Sequence, residues 1–341
     1  MTPKELLAAI KPAANAAAKH SPLPVLTDLC FSEGRVTGGD NIIELSLPVE
    51  LDISGCVPAQ RLTSALAVMP PDAELRTDIK DGRLSLRAGG SRHMLPIRPV
   101  SNYPFQAFEP AGVAVDVAAH ALRRVAPAVS KDHSRPFMTG VHVFARDNAL
   151  RVEASNAVLM LRSDTQGVDA DIDLILPSHT VAALDDGQWQ IRPGTHTVEL
   201  KSGNVRIVSR VIDATYPDTD RIFNGREKRP IATIPREPLI RAIRGAAVAT
   251  AGQKQPTLLI QFRPGQIEFS SADEAAESRD VLECDCTVTL NTEFRPPQLL
   301  VVLDALSGDD VLWSQPEPVC FARIESAQHS DFVALVGALR N

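Results

Sequence analysis

One pattern occurs three times along the chain, and that repeat restricts the possible folds more than any single residue does. Each copy opens on an Ala-rich stretch with helical periodicity, meets a proline, runs through alternating strands, adds a second helical stretch and closes on a hairpin. Leading helices are expected over residues 3–19, 117–131 and 236–254, followed by Pro22-Leu23-Pro24, Arg135-Pro136-Phe137 and Gln255-Pro256-Thr257. Second helices are expected over 58–69, 177–184 and 296–306, the middle one cut short by Asp185-Asp186-Gly187. The copies start at residues 3, 117 and 236, and steps of 114 and 119 residues are domain-sized, unlike the short period of a solenoid. Three similar domains are therefore expected, 1–110, 111–226 and 227–341, with turn-rich linkers at Glu109-Pro110-Ala111-Gly112 and Asn224-Gly225-Arg226-Glu227.

The strands read as antiparallel meanders. Ile43, Leu45, Leu47, Val49, Leu51 and Ile53 alternate with polar residues, the period of a strand with one buried face, and Pro48 within the run calls for an edge or a bulge. Asp81-Gly82 between two short strands is a type I′ hairpin signal, and Ser202-Gly203-Asn204 answers it in the second copy. Two helices and several hairpins per copy give an α+β class, with both helices expected on one face of the sheets.

Charge is distributed unevenly over this repeat. The leading helices carry +2, +3 and +3 in a chain of net −7, which leaves −15 for the remainder. A basic run on one helix is ordinarily a solvated face, but three equivalent ones in an acidic protein, if they share a surface, attract a polyanion there while the rest repels it. No run approaches the 18 or so apolar residues of a membrane span and no secretory leader is legible, so a cytoplasmic protein is expected. The five cysteines lack paired CxxC spacing and read as reduced thiols; Cys284 and Cys286, two apart on one strand face, are too few ligands for zinc. Neither a metal nor a cofactor is expected.

No catalytic constellation stands out. Nucleotide-binding glycine loops, the GxSxG elbow and HExxH are all absent. Asp132-His133-Ser134 has triad letters, but neighbours in a loop cannot form the relay geometry. Asp185-Asp186 and Asp309-Asp310 lie beside glycines, where Asp serves turns.

Four phrases in order, Ser21-Pro22-Leu23-Pro24-Val25-Leu26, Gly38-Gly39-Asp40, Ser134-Arg135-Pro136-Phe137-Met138-Thr139-Gly140-Val141 and Tyr216-Pro217-Asp218-Thr219-Asp220-Arg221-Ile222, carry a resemblance over essentially the whole length. With them the chain resembles the β subunit of bacterial DNA polymerase III, the sliding clamp family. The resemblance implies that two chains join head to tail into a ring whose helices line a channel for duplex DNA, held without base readout. It makes Lys4, Lys11, Lys19, Arg123, Arg124, Lys131, Arg241 and Arg244 the leading DNA-facing candidates, with His20, Arg135, Phe137 and His179 nearby. For Phe137 the alternative is core packing at a strand start.

The resemblance further implies an apolar pocket that captures short linear motifs of polymerase, clamp loader and repair proteins. Carried over by motif, its walls are Met138, Ser155, Asn156, Ala157, Val158, Leu159, Met160, Pro217, Arg221 and Ile222, with Val333, Ala334, Leu335, Val336 and Gly337 from the C-terminal strand. Leu159, Met160 and Val333 read equally as ordinary core. The family's Thr-Asp-Gly-His-Arg-Leu stretch is Ser155-Asn156-Ala157-Val158-Leu159-Met160 here, without the His and Arg. Its Met-Pro-Met-Arg-Leu ending is Leu335-Val336-Gly337-Ala338-Leu339, with Arg340-Asn341 added, and Ala249 and Thr250 stand where ring-closing contacts are expected. These departures fit a divergent or accessory clamp. The alternative is a clamp-like module that binds replication or repair factors without a stable ring.

Overall fold

The structure, a computed structural model, describes residues 1–225 and 228–339; Arg226 and Glu227 of the expected second linker and the added Arg340-Asn341 lie outside the described residues. The helices among the described residues are α1 (Pro3–Ala16), α2 (Ala59–Val68), α3 (Ala119–Val125), α4 (Ser178–Ala182), α5 (Asp220–Asn224), α6 (Arg236–Ala246) and α7 (Pro296–Ala305). The chain divides into two compact units, residues 1–120 with 176–212, and residues 121–175 with 213–341.

The first unit holds an eight-stranded antiparallel sheet in the order Gly55–Pro58, Asp28–Ser32, Arg35–Gly39, Ile43–Pro48, Val205–Arg210, Thr197–Ser202, Gln188–Pro193, Val115–Ala118. Strands of the first and second copies of the repeat thus share one sheet, joined where Ser46 faces Arg206 and Ile43 faces Ser209. Pro48 is neither at an edge nor in a bulge. It ends an interior strand, opposite Arg35 on one side and beyond the last partner on the other, so its missing N–H leaves no gap in the ladder. A three-stranded sheet (Arg76–Lys80, Arg83–Ala88, Ser91–Pro96) completes the unit. Its first turn has φ of 51° at Asp81 and 66° at Gly82, as a type I′ hairpin demands.

Helix α1 is fastened at its start by a capping box. The Glu5 N–H donates to the Thr2 hydroxyl at 3.2 Å and the Thr2 N–H to the Glu5 carboxylate at 2.7 Å. Its buried residues Leu6, Ile10 and Ala13 recur at helical spacing and pack on α2 and the strands beneath. Gly38 permits that approach, because a Cβ there would lie 2.1 Å from the Ala13 carbonyl oxygen.

The second unit repeats the seam. Its nine-stranded sheet runs Asp173–Pro177, Gly140–Arg146, Ala149–Ser155, Leu159–Gln166, Phe332–Gly337, Phe321–Ser326, Asp310–Ser314, Ala232–Pro235, Asp285–Cys286, so second-copy strands meet third-copy strands at Leu159–Gln166 and Phe332–Gly337. A four-stranded sheet (Glu277–Glu283, Gln266–Ala272, Leu258–Arg263, Leu290–Phe294) packs against α6, which buries Leu239, Ile240, Ile243 and Ala246. Trp313 is fully buried, with the Phe262 and Phe294 rings each 5.5 Å away.

All three leading helices are shorter than expected, for local reasons. Past α1 the Ala18 N–H turns to the carbonyls of Leu26 and Gly39, leaving Lys19 outside the helix. Val117 and Ala118 belong to a strand instead, and Pro127 tightens the chain into a 3₁₀ turn, Ala126–Ala128. After α6 the Ser271 hydroxyl takes the Ala246 carbonyl at 2.5 Å, and a 3₁₀ turn, Ala247–Thr250, follows. The second helices match their expected positions, with α4 reduced to five residues. Ala249 and Thr250 are buried within the unit at 6% and 1% exposure.

Candidate functional site

The expected pocket residues all belong to the second unit, most of them on or beside the seam strands and the one-turn helix α5, with Met138 in the 3₁₀ turn Pro136–Thr139 and Pro217 in the loop before α5. Met160 faces Leu335 and Leu159 faces Val336 across the ladder. Ahead of Leu159 the chain reverses tightly. The Asn156 side-chain oxygen accepts from the Val158 and Leu159 amides at 3.2 and 2.9 Å, and the Ser155 hydroxyl accepts from the Ala157 amide at 3.1 Å. Ala157 holds φ of 72°, a left-handed conformation that strains an L-residue with a Cβ and that a glycine adopts freely. This chain holds the turn without a glycine.

Behind the turn, Met160, Phe223 and Leu335 form a buried cluster, with Ile222, Phe321 and Val333 partly exposed against it. The outer lip is Ala157, Val158, Pro217 and Arg221, all exposed; Met138, Asn156, Ile222 and Val333 are half-buried. Ser155, Leu159, Met160, Ala334, Leu335, Val336 and Gly337 are buried. Leu159, Ala334 and Leu335, at 2% exposure or less, are core residues on interior strands, which accords with the plain packing reading. Val158 at 39% exposure and the flank of Ile222, Phe321 and Val333 form the solvent-facing apolar surface here.

What holds α5 in place is a set of charges far apart in sequence. Arg162, 6% exposed, reaches Glu153 and Asp220, each at 2.7 Å, and donates to the Thr219 hydroxyl at 2.6 Å while its guanidinium lies 4.1 Å over the Phe223 ring. Arg146 and Arg151 also grip Asp220, at 2.7 and 2.9 Å, and Arg323 donates to the Phe223 carbonyl at 2.8 Å. Burial alone would raise the Asp220 carboxyl, but hydrogen bonds from Arg146 and Arg162 and the nearby Arg151 charge outweigh it and hold the group below the usual carboxylate range. His142 bridges Glu153 and Asp173 at 3.1 and 3.0 Å and stacks between Phe144 and Tyr216, with centroids 4.4 and 4.3 Å away. The Phe137 ring meets Tyr216 edge-on at 5.9 Å and is half-buried, so it supports the phrase that leads into α5.

The basic candidates divide between the units. In the first, Lys4 and Lys11 stand two helical turns apart on the exposed face of α1, and Lys19 and His20 are exposed beyond its end. Lys11 lines an open cavity of about 470 Å³ with Asn15, Asp185 and His179, whose Nδ1 is 3.4 Å from Asp40. In the second, Lys131, Arg135, Arg241 and Arg244 are exposed, Arg244 at 3.8 Å from Asp304, and Arg123 is half-buried. Arg124 does not suit a phosphate contact. Its side chain is only 9% exposed, is bound to Asp331 at 2.6 Å and lies 4.2 Å over the Phe332 ring. Adjacent residues point about 100° apart around a helix, and on α3 that direction carries the Arg124 side chain to Asp331 and Phe332. Asp132-His133-Ser134 is an exposed turn in which the Asp132 carboxylate accepts the Ser134 amide at 2.9 Å, with no relay. Among the described residues no cluster of three metal-ligating side chains occurs, and no helix is long and apolar enough to cross a membrane.

Sequence reasoning missed Phe223, Phe321, Arg162, Glu153 and Arg323. Arg162 and Glu153 face each other across one hairpin, a pairing visible once that register is known, but their partners on α5 are nearly 60 residues or more away and left no periodic trace.

Residues 112–218 match the family model described as DNA polymerase III beta subunit, central domain. The chain is similar to the beta sliding clamp of Pseudomonas aeruginosa at 23% identity, covering 98% of this chain and 97% of that protein. The Micrococcus luteus beta sliding clamp is 25% identical over 80% of this chain and 94% of its own length. Among solved structures, the Pseudomonas aeruginosa sliding clamp bound to griselimycin superposes with a TM-score of 0.89 at 20% identity, covering 100% of this chain and 98% of that one. A Caulobacter crescentus beta sliding clamp with polyethylene glycol in a putative motif-tethering region gives 0.88 at 19%, again over 100% and 98%. Matched through its central third and similar end to end, the chain resembles the bacterial DNA polymerase III β subunit, or β sliding clamp, family and shares its fold.

Proposed function

We propose that this chain is a DNA sliding clamp, a non-catalytic cytoplasmic processivity factor that encircles duplex DNA and tethers DNA polymerase and other partners through the apolar pocket beside α5. On this reading the three copies, 1–110, 111–226 and 227–341, act as three clamp domains of a homodimeric ring. The observation that carries it is the pairing, in one clamp-like chain, of an apolar lip at Val158, Ile222 and Val333 with exposed cations on the leading helices, Lys4 and Lys11 of α1 and Arg241 and Arg244 of α6. Cations of that kind contact phosphates of any sequence and permit sliding. Lys19, His20, Arg123, Lys131, Arg135 and His179 supplement them; Arg124 is set aside.

Two free sheet edges support ring closure better than Ala249 and Thr250 do. The outer strand Ser91–Pro96 carries Arg92 and His93 with Met94 40% exposed, while the outer strand Glu277–Glu283 carries Glu277, Asp280 and Glu283 with Val281 47% exposed. Pairing between them in two copies satisfies both open edges and brings opposite charges together.

The test is retention on DNA. Sedimentation is expected to give twice the chain mass, and protein loaded on nicked circular DNA is expected to remain until the circle is cut. Equal loss from circle and linear duplex overturns encirclement, and a monomer at micromolar concentration favours the ringless binding module.

A further inference from the structure

The structure points to a redox site in the first unit that the clamp reading does not use. The strands Asp28–Ser32 and Gly55–Pro58 pair antiparallel with Cys30 directly opposite Cys56, and both side chains are fully buried. The kind of pair follows from the backbone. The Cys56 N–H donates to the Arg98 carbonyl at 2.8 Å and its carbonyl accepts from the Arg98 N–H at 2.9 Å, so both its main-chain groups point away from Cys30. Cys30 and Cys56 are therefore a non-hydrogen-bonded pair, the closer of the two antiparallel arrangements, with Cα atoms typically about 4.5 Å apart. That spacing falls at the short end of the roughly 4.4–6.8 Å window for a disulfide.

The two thiols are chemically unequal. The neighbouring Cys56 sulfur and burial push the Cys30 thiol up, while the neighbouring Cys30 sulfur holds Cys56 below the ordinary thiol value. Arg98 adds to the lowering at Cys56, while burial and Asp28 oppose it. The Cys56 Sγ also lies 3.7 Å from the Pro99 carbonyl. Tyr103 packs in the same cluster, and its buried hydroxyl has no hydrogen-bond partner. Access is asymmetric as well. Gly55–Pro58 is the outermost strand of its sheet, flanked on the open side by the single Arg98 bridge, whereas Cys30 lies one strand further in.

We propose that Cys30 and Cys56 form a peroxide-responsive pair, Cys56 as the attacking thiol and Cys30 as the resolving one. The Cys56 thiolate attacks one oxygen of hydrogen peroxide; an S–O bond forms, the O–O bond breaks, and the departing hydroxide takes up the thiol proton as water. Cys30 then attacks the Cys56 sulfenic sulfur; the S–S bond forms, the S–O bond breaks and a second water leaves with the Cys30 proton. Two thiols are oxidised, one peroxide is reduced, and a thiol reductant reverses the step. The bond pins the edge strand that leads straight into α2 and closes the loop from residue 30 to residue 56.

The full-length reduced protein is titrated with hydrogen peroxide, quenched by alkylation and mapped by non-reducing peptide mass spectrometry. The expected result is one linked peptide pair containing Cys30 and Cys56, a loss of two hydrogens from the intact chain, and reversal by dithiothreitol. The Cys30→Ser variant is expected to stop at the Cys56 sulfenic acid, trapped by dimedone. The wild-type map stands alone if that variant does not fold. Alkylation at both Cys30 and Cys56 after peroxide, over-oxidation without a link, or a link to Cys284, Cys286 or Cys320 instead overturns the proposal.

Discussion

Replacing Arg162 with methionine tests whether buried charge, and not apolar packing, holds the pocket wall. Arg162 and Glu153 are 6% and 2% exposed, and the guanidinium is bonded to Glu153, Asp220 and Thr219 while covering Phe223. Met keeps much of the side-chain volume, so the loss is mainly electrostatic. Removing one partner of a buried ion pair typically costs about 3–5 kcal/mol, because the other is left charged and desolvated. The contact with Phe223 lies within that range, being worth up to about 2 kcal/mol where desolvated. With a urea m-value of about 3 kcal/mol per M, the transition of this unit is expected to move down by between about 1 and 2 M. Adding Glu153→Gln removes the stranded charge, and the double variant is expected to recover at least half of the loss. Circular dichroism and Trp313 fluorescence, in a core of the same unit, report the unfolding. A shift corresponding to less than about 1 kcal/mol, or strictly additive single and double variants, would refute the view that these charges fix α5.

Three further outcomes follow from the same geometry. Val158→Asp is expected to abolish capture of a polymerase-derived peptide, read by fluorescence polarisation, with an unchanged melting temperature, since Val158 is 39% exposed; the same change at Met160, 6% exposed in a core cluster, is expected to lower both together. Ala157→Gly is expected to raise stability by about 1 kcal/mol by relieving the left-handed backbone at φ 72°, and no gain in a thermal melt counts against the strain. Asp220 has a folded pKa held below its unfolded value near 4, so its contribution is present above about pH 4 and lost as pH falls through the folded value. Asp220→Asn is expected to flatten the acid limb of the stability curve, measured by denaturation between pH 2 and 6 or so, and an unchanged limb removes Asp220 from that role.

The approximate helix positions were legible because hydrophobic periodicity and proline punctuation are local, and the Asp81-Gly82 hairpin because its two positive φ values call for those residue types. Sheet partners were not legible in the same way. Strands 43–48 and 205–210 pair across more than 150 residues, and strands 159–166 and 332–337 across slightly more, so each large sheet spans two copies and no single copy contains its own. Helix ends escaped for a related reason: the carbonyls of Leu26 and Gly39 and the Ser271 hydroxyl, which divert the chain after α1 and α6, come from other elements.

The pocket shows the same division. The motif phrases at 155–160 and 216–222 fall on a turn closed by Asn156 and Ser155 and on the approach to α5, yet motif position alone could not separate exposed from buried residues. That separation depends on the neighbours of each strand: Leu159 and Leu335 pair in the middle of a nine-stranded sheet and are enclosed, while Ala157 and Val158 protrude from the turn between two strands. The same reasoning divides the basic residues. Arg241 and Arg244, three apart on an eleven-residue helix, remain on one exposed face, whereas Arg123 and Arg124, adjacent on α3, point in different directions and Arg124 turns to Asp331. A charge count along the sequence measures how much positive charge a helix carries. The burial of the folded helix decides how much of it faces solvent, so on α3 the charge available to a polyanion is smaller than the sequence total.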